Sequence, residues 1–272
     1  MFQMRTGVGE WYLVNAQTVV LTNDDGIFAA GLQALARALR AAGYRPVVVA
    51  PDRGASGASR SLSLHRPLTV RRLGEDQYAV DGTPTDCVMM AIFEILKNRR
   101  PSLLLSGINH GQNLADDVTY SGTCAAAAEG CMEGIPSVAI SALTGRDGEF
   151  YFDDHADFFV QSVLPSIGRL RIPRWSFINV NFPPRPAARI RGVRVVPLGR
   201  STYSDPIARR RAPQALGRSR KGWIYWIVGE PKSLKKRGTD IEAIERGCVS
   251  LTPIHLDLTD RRLLAECRKL FP

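Results

Sequence analysis

Long apolar runs are missing from this 272-residue chain: nothing approaches the roughly 18–20 residues that span a bilayer. The first ten residues carry one Arg and no apolar stretch of the signal-peptide kind, so a soluble, cytoplasmic protein is expected. Cysteine is sparse and unpatterned. Cys87, Cys124, Cys131, Cys248 and Cys267 are odd in number and form no C-x-x-C pair. This argues against a disulfide framework and against a cysteine zinc site; small buried thiols are the simpler reading. The four histidines are scattered, with no H-x-x-x-H pair. G-x-S-x-G, G-x-x-x-x-G-K-[ST] and G-x-G-x-x-G are all lacking, so serine hydrolases, P-loop NTPases and dinucleotide dehydrogenases lose ground.

Acidic residues are nearly absent from one region. Segment 185–237 holds fifteen Lys/Arg against Asp205 and Glu230, a balance of +13, while the whole chain carries +10. A near-neutral body therefore bears one basic segment. Such a segment suits nucleic acid, an anionic substrate or a neighbouring subunit. Pro, Arg and Gly are frequent in it and Trp223–Val228 (WIYWIV) reads as a strand, so extended hairpins forming an assembly arm are the favoured reading.

What is present elsewhere is alternation. Thr18–Thr22 is a short β-branched run, followed by the turn Asn23-Asp24-Asp25-Gly26. Leu32, Leu35, Ala36 and Leu39 then recur at helical spacing, and Val47–Ala50 is the next buried strand. The pattern continues with a helix over 86–98, a strand at 103–105 and a helix over 123–133. A strand at 137–141, a helix over 157–170 and a strand at 177–181 complete it. This predicts an α/β fold, a Rossmann-like doubly wound and mostly parallel sheet with a projecting C-terminal β-hairpin arm. The expected divisions are an N-terminal extension (1–16), a catalytic core (17–184), the basic arm (185–237) and a C-terminal segment (238–272). A strand near 249–251 and a helix from about 260 belong to the last.

Ligands in such sheets bind where the strands' carboxyl ends open into loops. Three of those ends are polar: Asn23, Asp24 and Asp25; Asp52, Ser56 and Ser59; Ser106, Asn109 and Asn113. Adjacent carboxylates with hydroxyl and amide oxygens suit a hard divalent cation such as Mg²⁺ or Mn²⁺, although Asp24-Asp25 alone could equally be a helix cap and a turn residue. Tyr120-Ser121-Gly122-Thr123 leads directly into an Ala-rich helix. A helix start with a Gly can cradle phosphate, and it can also be a simple Ser cap. Cation and cradle together suggest phosphoester hydrolysis.

These residues resemble the SurE survival-protein family of metal-dependent 5′/3′-nucleotidases. The resemblance rests on TNDDGIFAAGL (22–32), VVAPDRGASGAS (48–59), GTPTDCV (82–88) and SGINHGQNLADDVTYSGTCAAAAEG (106–130). GTD (238–240) and GCVSLTPIHLDLT (247–259) complete it, so that nearly all of the chain from about residue 18 is covered. It implies one divalent metal ion per subunit held by Asp24, Asp25, Ser56 and Asn109, with Asp24 and Asp25 as the catalytic pair. Asn23, Asn113, Ser121, Gly122 and Thr123 would meet phosphate or substrate. It further implies a homodimer or homotetramer built through the arm, and hydrolysis of nucleoside monophosphates. Two departures stand out: Ala115 where the family usually has Gly, and Cys124 where it often has Val. A contrasting reading, a non-catalytic nucleotide- or RNA-binding module using 185–237, predicts salt-dependent RNA binding without phosphate release.

Overall fold

The computed structural model describes residues 18–97, 99–145, 148–204, 207–211, 223–227 and 230–271. The N-terminal extension and the middle of the basic segment, 212–222, lie outside the described residues.

A nine-stranded sheet organises the chain. Its strands are β1 (Thr18–Thr22), β2 (Arg45–Pro51), β3 (Val70–Gly74), β4 (Gln77–Val80), β5 (Leu103–His110), β6 (Ser137–Ala142), β7 (Ser176–Phe182), β8 (Val193–Val195) and β13 (Val249–His255), in the order β3-β4-β2-β1-β5-β6-β7-β13-β8. From β4 to β7 all neighbours are parallel; β3 pairs antiparallel with β4, and β13 antiparallel with β7. Strand order reverses between β1 and β5. That switch point is where a doubly wound sheet opens a crevice at its carboxyl edge.

Both faces are covered. On one side α1 (Ala30–Ala41) and α4 (Phe152–Phe158), continued by a π-type turn and α5 (Leu164–Ile167), close over Val19, Leu21, Leu105 and Ile140. On the other, α2 (Pro84–Met89), its π-helical continuation Met90–Ile95, and α3 (Gly122–Met132) cover Val20, Val49 and Leu104. Strands buried on both faces read as continuous apolar runs, which is why TVVL and PVVVA stand out in the sequence. Each fully buried Leu, Ile or Val contributes about 1.5–3 kcal/mol, and their alternation between the two layers fixes the register.

Several elements differ from expectation. The helix expected over 157–170 begins at Phe152 and ends at Ile167. Its core stripe already starts at Phe152, His155 and Ala156, but Tyr151 offers no side-chain cap to mark the beginning. The strand at 103–105 extends to His110, so half of the expected Gly/Asn loop is sheet. The β3–β4 hairpin was not legible, since VRRLG is mostly exposed.

Segment 185–237 divides. β8 joins the main sheet, parallel to β13. Beyond it, β9 (Arg200–Ser204) and β10 (Ile207–Arg211) run out, while β11 (Trp223–Ile227) and β12 (Glu230–Lys235) run back. Ser204 faces Glu230 and Ile207 faces Ile227, so the two antiparallel pairs, two separate two-stranded sheets, follow one register; together they are termed the ribbon. After it come α6 (Asp240–Glu245), β13 and α7 (Arg261–Leu270), the last capped by Asp260. No helix among the described residues is long and apolar enough to cross a membrane.

Candidate active site

The polar cluster sits at the switch point, where β1 and β5 end side by side. Asn23 is completely buried; its Nδ2 donates to the Gly26 carbonyl at 3.0 Å and its Oδ1 accepts from the Gly26 N–H at 3.2 Å. These bonds give Asn23 a framework role in the turn. The turn presents the next two carboxylates outward. Asp24 is 4% exposed and its Oδ1 accepts from Thr123 Oγ1 at 2.6 Å. Asp25 Oδ2 accepts from the His110 backbone N–H at 3.0 Å, with His110 Nδ1 at 4.0 Å from Oδ1.

Burial is the foremost cause pushing the Asp24 carboxyl above its ordinary range. The Thr123 hydrogen bond opposes the shift and the neighbouring Asp25 charge adds to it. Two carboxylates thus stand together, and among the described residues no Lys or Arg ion pair reaches either. Gly122 borders them closely. A Cβ there would lie 2.8 Å from Asp24 Cβ and 2.9 Å from its Oδ2, so the first turn of α3 meets the carboxylate only because residue 122 has no side chain.

The other expected residues arrive from two further strand ends. The loop after β2 is tied down by the Ala55 N–H donating to the Asp24 carbonyl at 2.7 Å, which leaves the adjacent Ser56 exposed beside the turn. Ser59, at φ 50°, reaches across to the Thr119 carbonyl at 3.0 Å. In β5 the register slips between Ser106 and Asn109, so that Gly107 and Ile108 face the single residue Ile140 on β6. Gly107 permits it: a Cβ there would fall 2.1 Å from the Ile140 carbonyl oxygen. The bulge re-aims Asn109, as bulges beside sites commonly do. Asn109 Nδ2 donates to the Gly111 carbonyl at 3.0 Å, which leaves its Oδ1 as the acceptor of that amide.

Ser121 caps α3, accepting the Cys124 N–H at 3.0 Å, and Gly122 and Thr123 follow with main-chain N–H groups that have no partner within the helix. Asn113 is buried, with its main chain and its side-chain amide nitrogen bonded. Its N–H donates to Asn181 Oδ1 and its Nδ2 to Ser141 Oγ, while its carbonyl accepts from Asn179 and Asn181. It anchors the loop to β6 and β7, a framework role like that of Asn23. Sequence reasoning missed Asp240, which is completely buried and holds this loop from behind. Its neighbourhood, G-T-D, gave no chemical signal of its own.

A hard cation fits this donor set. Asp24, Asp25, Asn109 Oδ1 and Ser56 Oγ all offer oxygens, and among the described residues no Lys or Arg pairs with the two carboxylates. No group of three or more His, Cys, Asp or Glu among the described residues is placed to hold a metal, so a cation here would depend on the hydroxyl and amide oxygens as well.

The family model described as survival protein SurE matches residues 19–205. The 5′-nucleotidase SurE of Erythrobacter litoralis (strain HTCC2594) is 43% identical over 255 residues, covering 93% of this chain and 99% of that protein. The 5′-nucleotidase SurE of Vibrio cholerae serotype O1 (strain El Tor Inaba N16961) is 45% identical over 243 residues, 89% of this chain and 92% of the relative. Among solved structures, the SurE protein from Aquifex aeolicus superposes with a TM-score of 0.79 at 39% identity, covering 93% and 99% of the two chains.

Proposed function

The chain belongs to the survival protein SurE family, and on that premise we propose that it hydrolyses nucleoside 5′-monophosphates, and the 3′ isomers, to nucleoside and inorganic phosphate. One contact carries the reading. Thr123 Oγ1 donates to Asp24 Oδ1 at 2.6 Å, which joins the carboxylate pair to the helix start that would receive phosphate.

Asp24, Asp25, Ser56 and Asn109 would hold one Mg²⁺ or Mn²⁺ ion, which when bound polarises a phosphate ester and lowers the pKa of water. The chain's own groups do the remaining work. The Gly122 N–H at the helix start meets an equatorial phosphate oxygen, where negative charge grows in the transition state, while the Thr123 main chain supports the Asp24 carboxylate. Thr123 fixes the Asp24 carboxylate, and the His110 N–H fixes that of Asp25, so neither has to reorganise during the reaction. One of the two carboxylates orients and deprotonates the attacking water.

We further propose a cytoplasmic homo-oligomer assembled through the ribbon β9–β12. Support comes from its exposed Ile207, Trp223, Tyr225, Trp226 and Ile227. A lone two-stranded ribbon is marginal in water without such a partner.

Phosphate release from a panel of nucleoside monophosphates, with Mg²⁺, Mn²⁺ and EDTA compared, tests the activity. Release should require the metal and stop with EDTA. Asp24→Asn should lower turnover by at least about a thousandfold with the fold intact. Near-normal turnover in that variant would sink the assignment of Asp24.

A further inference from the structure

The loop that enters the phosphate cradle is held from behind by one buried carboxylate. Asp240, at the first position of α6, is completely buried. Its Oδ2 accepts the Ala115 N–H at 2.8 Å, and its Oδ1 accepts the N–H groups of Gly199 at 2.7 Å and Ile241 at 2.9 Å. Three separate pieces of chain therefore meet at one side chain: the 3-10 turn Ala115–Thr119, the residue before β9, and α6. The same turn is gripped again one step along. Asp116 accepts from Arg200 Nη1 at 2.6 Å and from the Ser201 N–H at 2.8 Å, and Tyr203 donates to Asp117.

The turn is also strained where Asp240 touches it. Ala115 has φ +49°, a conformation that costs a non-glycine residue about 1–2 kcal/mol and persists only where the surroundings impose it. Gly, which the resemblance leads one to expect at this position, would take this φ without strain, whereas this chain carries Ala. Six residues further on, Ser121 begins the cradle.

Resting on the nucleotidase reading above, we propose that Asp240 is a positioning residue for phosphate: its carboxylate locks the strained turn to the root of the ribbon, and so sets where the first turn of α3 stands. The ribbon and the phosphate site are thereby one mechanical unit.

Asp240→Asn tests this. The variant keeps the volume but replaces one acceptor oxygen with a donor facing an N–H. Inorganic phosphate binding, measured by calorimetry with Mg²⁺ present, should weaken about tenfold, as when a supporting partner of a site is lost. The KM for a nucleoside monophosphate should rise with it, and kcat should change less. Glu242→Ala is the control for simple loosening of α6, since it removes the bonds to Gly238 and Arg246 on that helix. It should leave phosphate binding unchanged. Wild-type phosphate affinity in folded Asp240→Asn, or an equal loss in Glu242→Ala, overturns the proposal. Should Asp240→Asn not fold, Arg200→Ala decides. Its guanidinium is mostly exposed, and the variant should weaken phosphate binding at least about twofold in the same manner; no change overturns the proposal. A wild-type protein that binds phosphate yet releases none from nucleoside monophosphates would sink the nucleotidase reading and leave the positioning role standing.

Discussion

Gly122 is the point at which helix α3 touches the carboxylate pair, and a single methyl group tests how closely the site is built. In Gly122→Ala the added carbon would lie under 3 Å from both Asp24 Cβ and Oδ2, so either the carboxylate or the helix start must move. Ala is the better helix former by about 1 kcal/mol, which offsets part of the clash. Thermal stability should therefore change little, while a displacement of even about 1 Å costs on the order of a hundredfold in rate. Phosphate release and a melting curve on the same sample check this; unimpaired release would mean that Asp24 and the cradle do not act together. At this scale the sequence was informative about chemistry and silent about geometry. Asp24, Asp25 and Thr123 announced themselves by residue type and by position after a strand or before a helix. Asn23 and Asn113 have the same chemistry, yet their amide nitrogens are bonded to Gly26 and Ser141. Nothing in a one-dimensional pattern tells an amide that faces substrate from one that fastens a loop.

At the level of elements, α4 carries a group whose burial makes the fold pH-sensitive. His155 is fully buried, stacks on Phe182 with ring centroids 4.6 Å apart, and has Nε2 2.9 Å from the Arg185 carbonyl. Nε2 therefore donates, and Nδ1 finds no partner among the described residues, so a proton there would meet no acceptor. Desolvation is the leading cause that pulls its pKa below 6.5. The unfolded chain then binds this proton more readily than the folded one, so stability is full above pH 6.5 and declines as pH falls from there toward the folded-state value. The melting temperature should drop between pH 7.5 and 5.5 by more than it does in His155→Phe, which keeps the stack and removes the titration. Parallel slopes for the two proteins would show that the imidazole is not responsible. The elements themselves were legible wherever an apolar period ran unbroken, as in β1, α1, β2 and β6. The start of α4 was hidden because no capping side chain precedes it. The β3–β4 hairpin was hidden because its exposed, Arg-bearing β3 has no buried face to set a pattern.

For the whole molecule, the question is what the surplus of positive charge is for. It lies mainly in the segment that β9–β12 occupy, and the body that carries the carboxylate pair is close to neutral. The ribbon is no self-sufficient unit. Its root is bolted to the 3-10 turn by Asp116 and Arg200, but further out Trp223, Tyr225, Trp226 and Ile227 remain exposed, with Arg209 lying over the Trp223 ring at 4.1 Å. Aromatic and Arg side chains mixed on an exposed strand pair suit a protein interface better than a phosphate backbone, which needs charge and tolerates few apolar neighbours. A stable interface covers about 1,000 Å² or more, and in the proposed assembly the ribbon would supply it by engaging another subunit. Replacing residues 205–229 with an Asn-Gly turn across the Ser204–Glu230 pair keeps the root and its grip on the 3-10 turn. The shortened protein should run at a lower native mass by light scattering, and it should still bind phosphate, because Asp116 and Asp240 keep their partners. An unchanged native mass would exclude the ribbon as the assembly element. A protein that loses phosphate binding along with its partner subunits would instead mean that assembly completes the site, with the strained turn at Ala115 as the place where the two are joined.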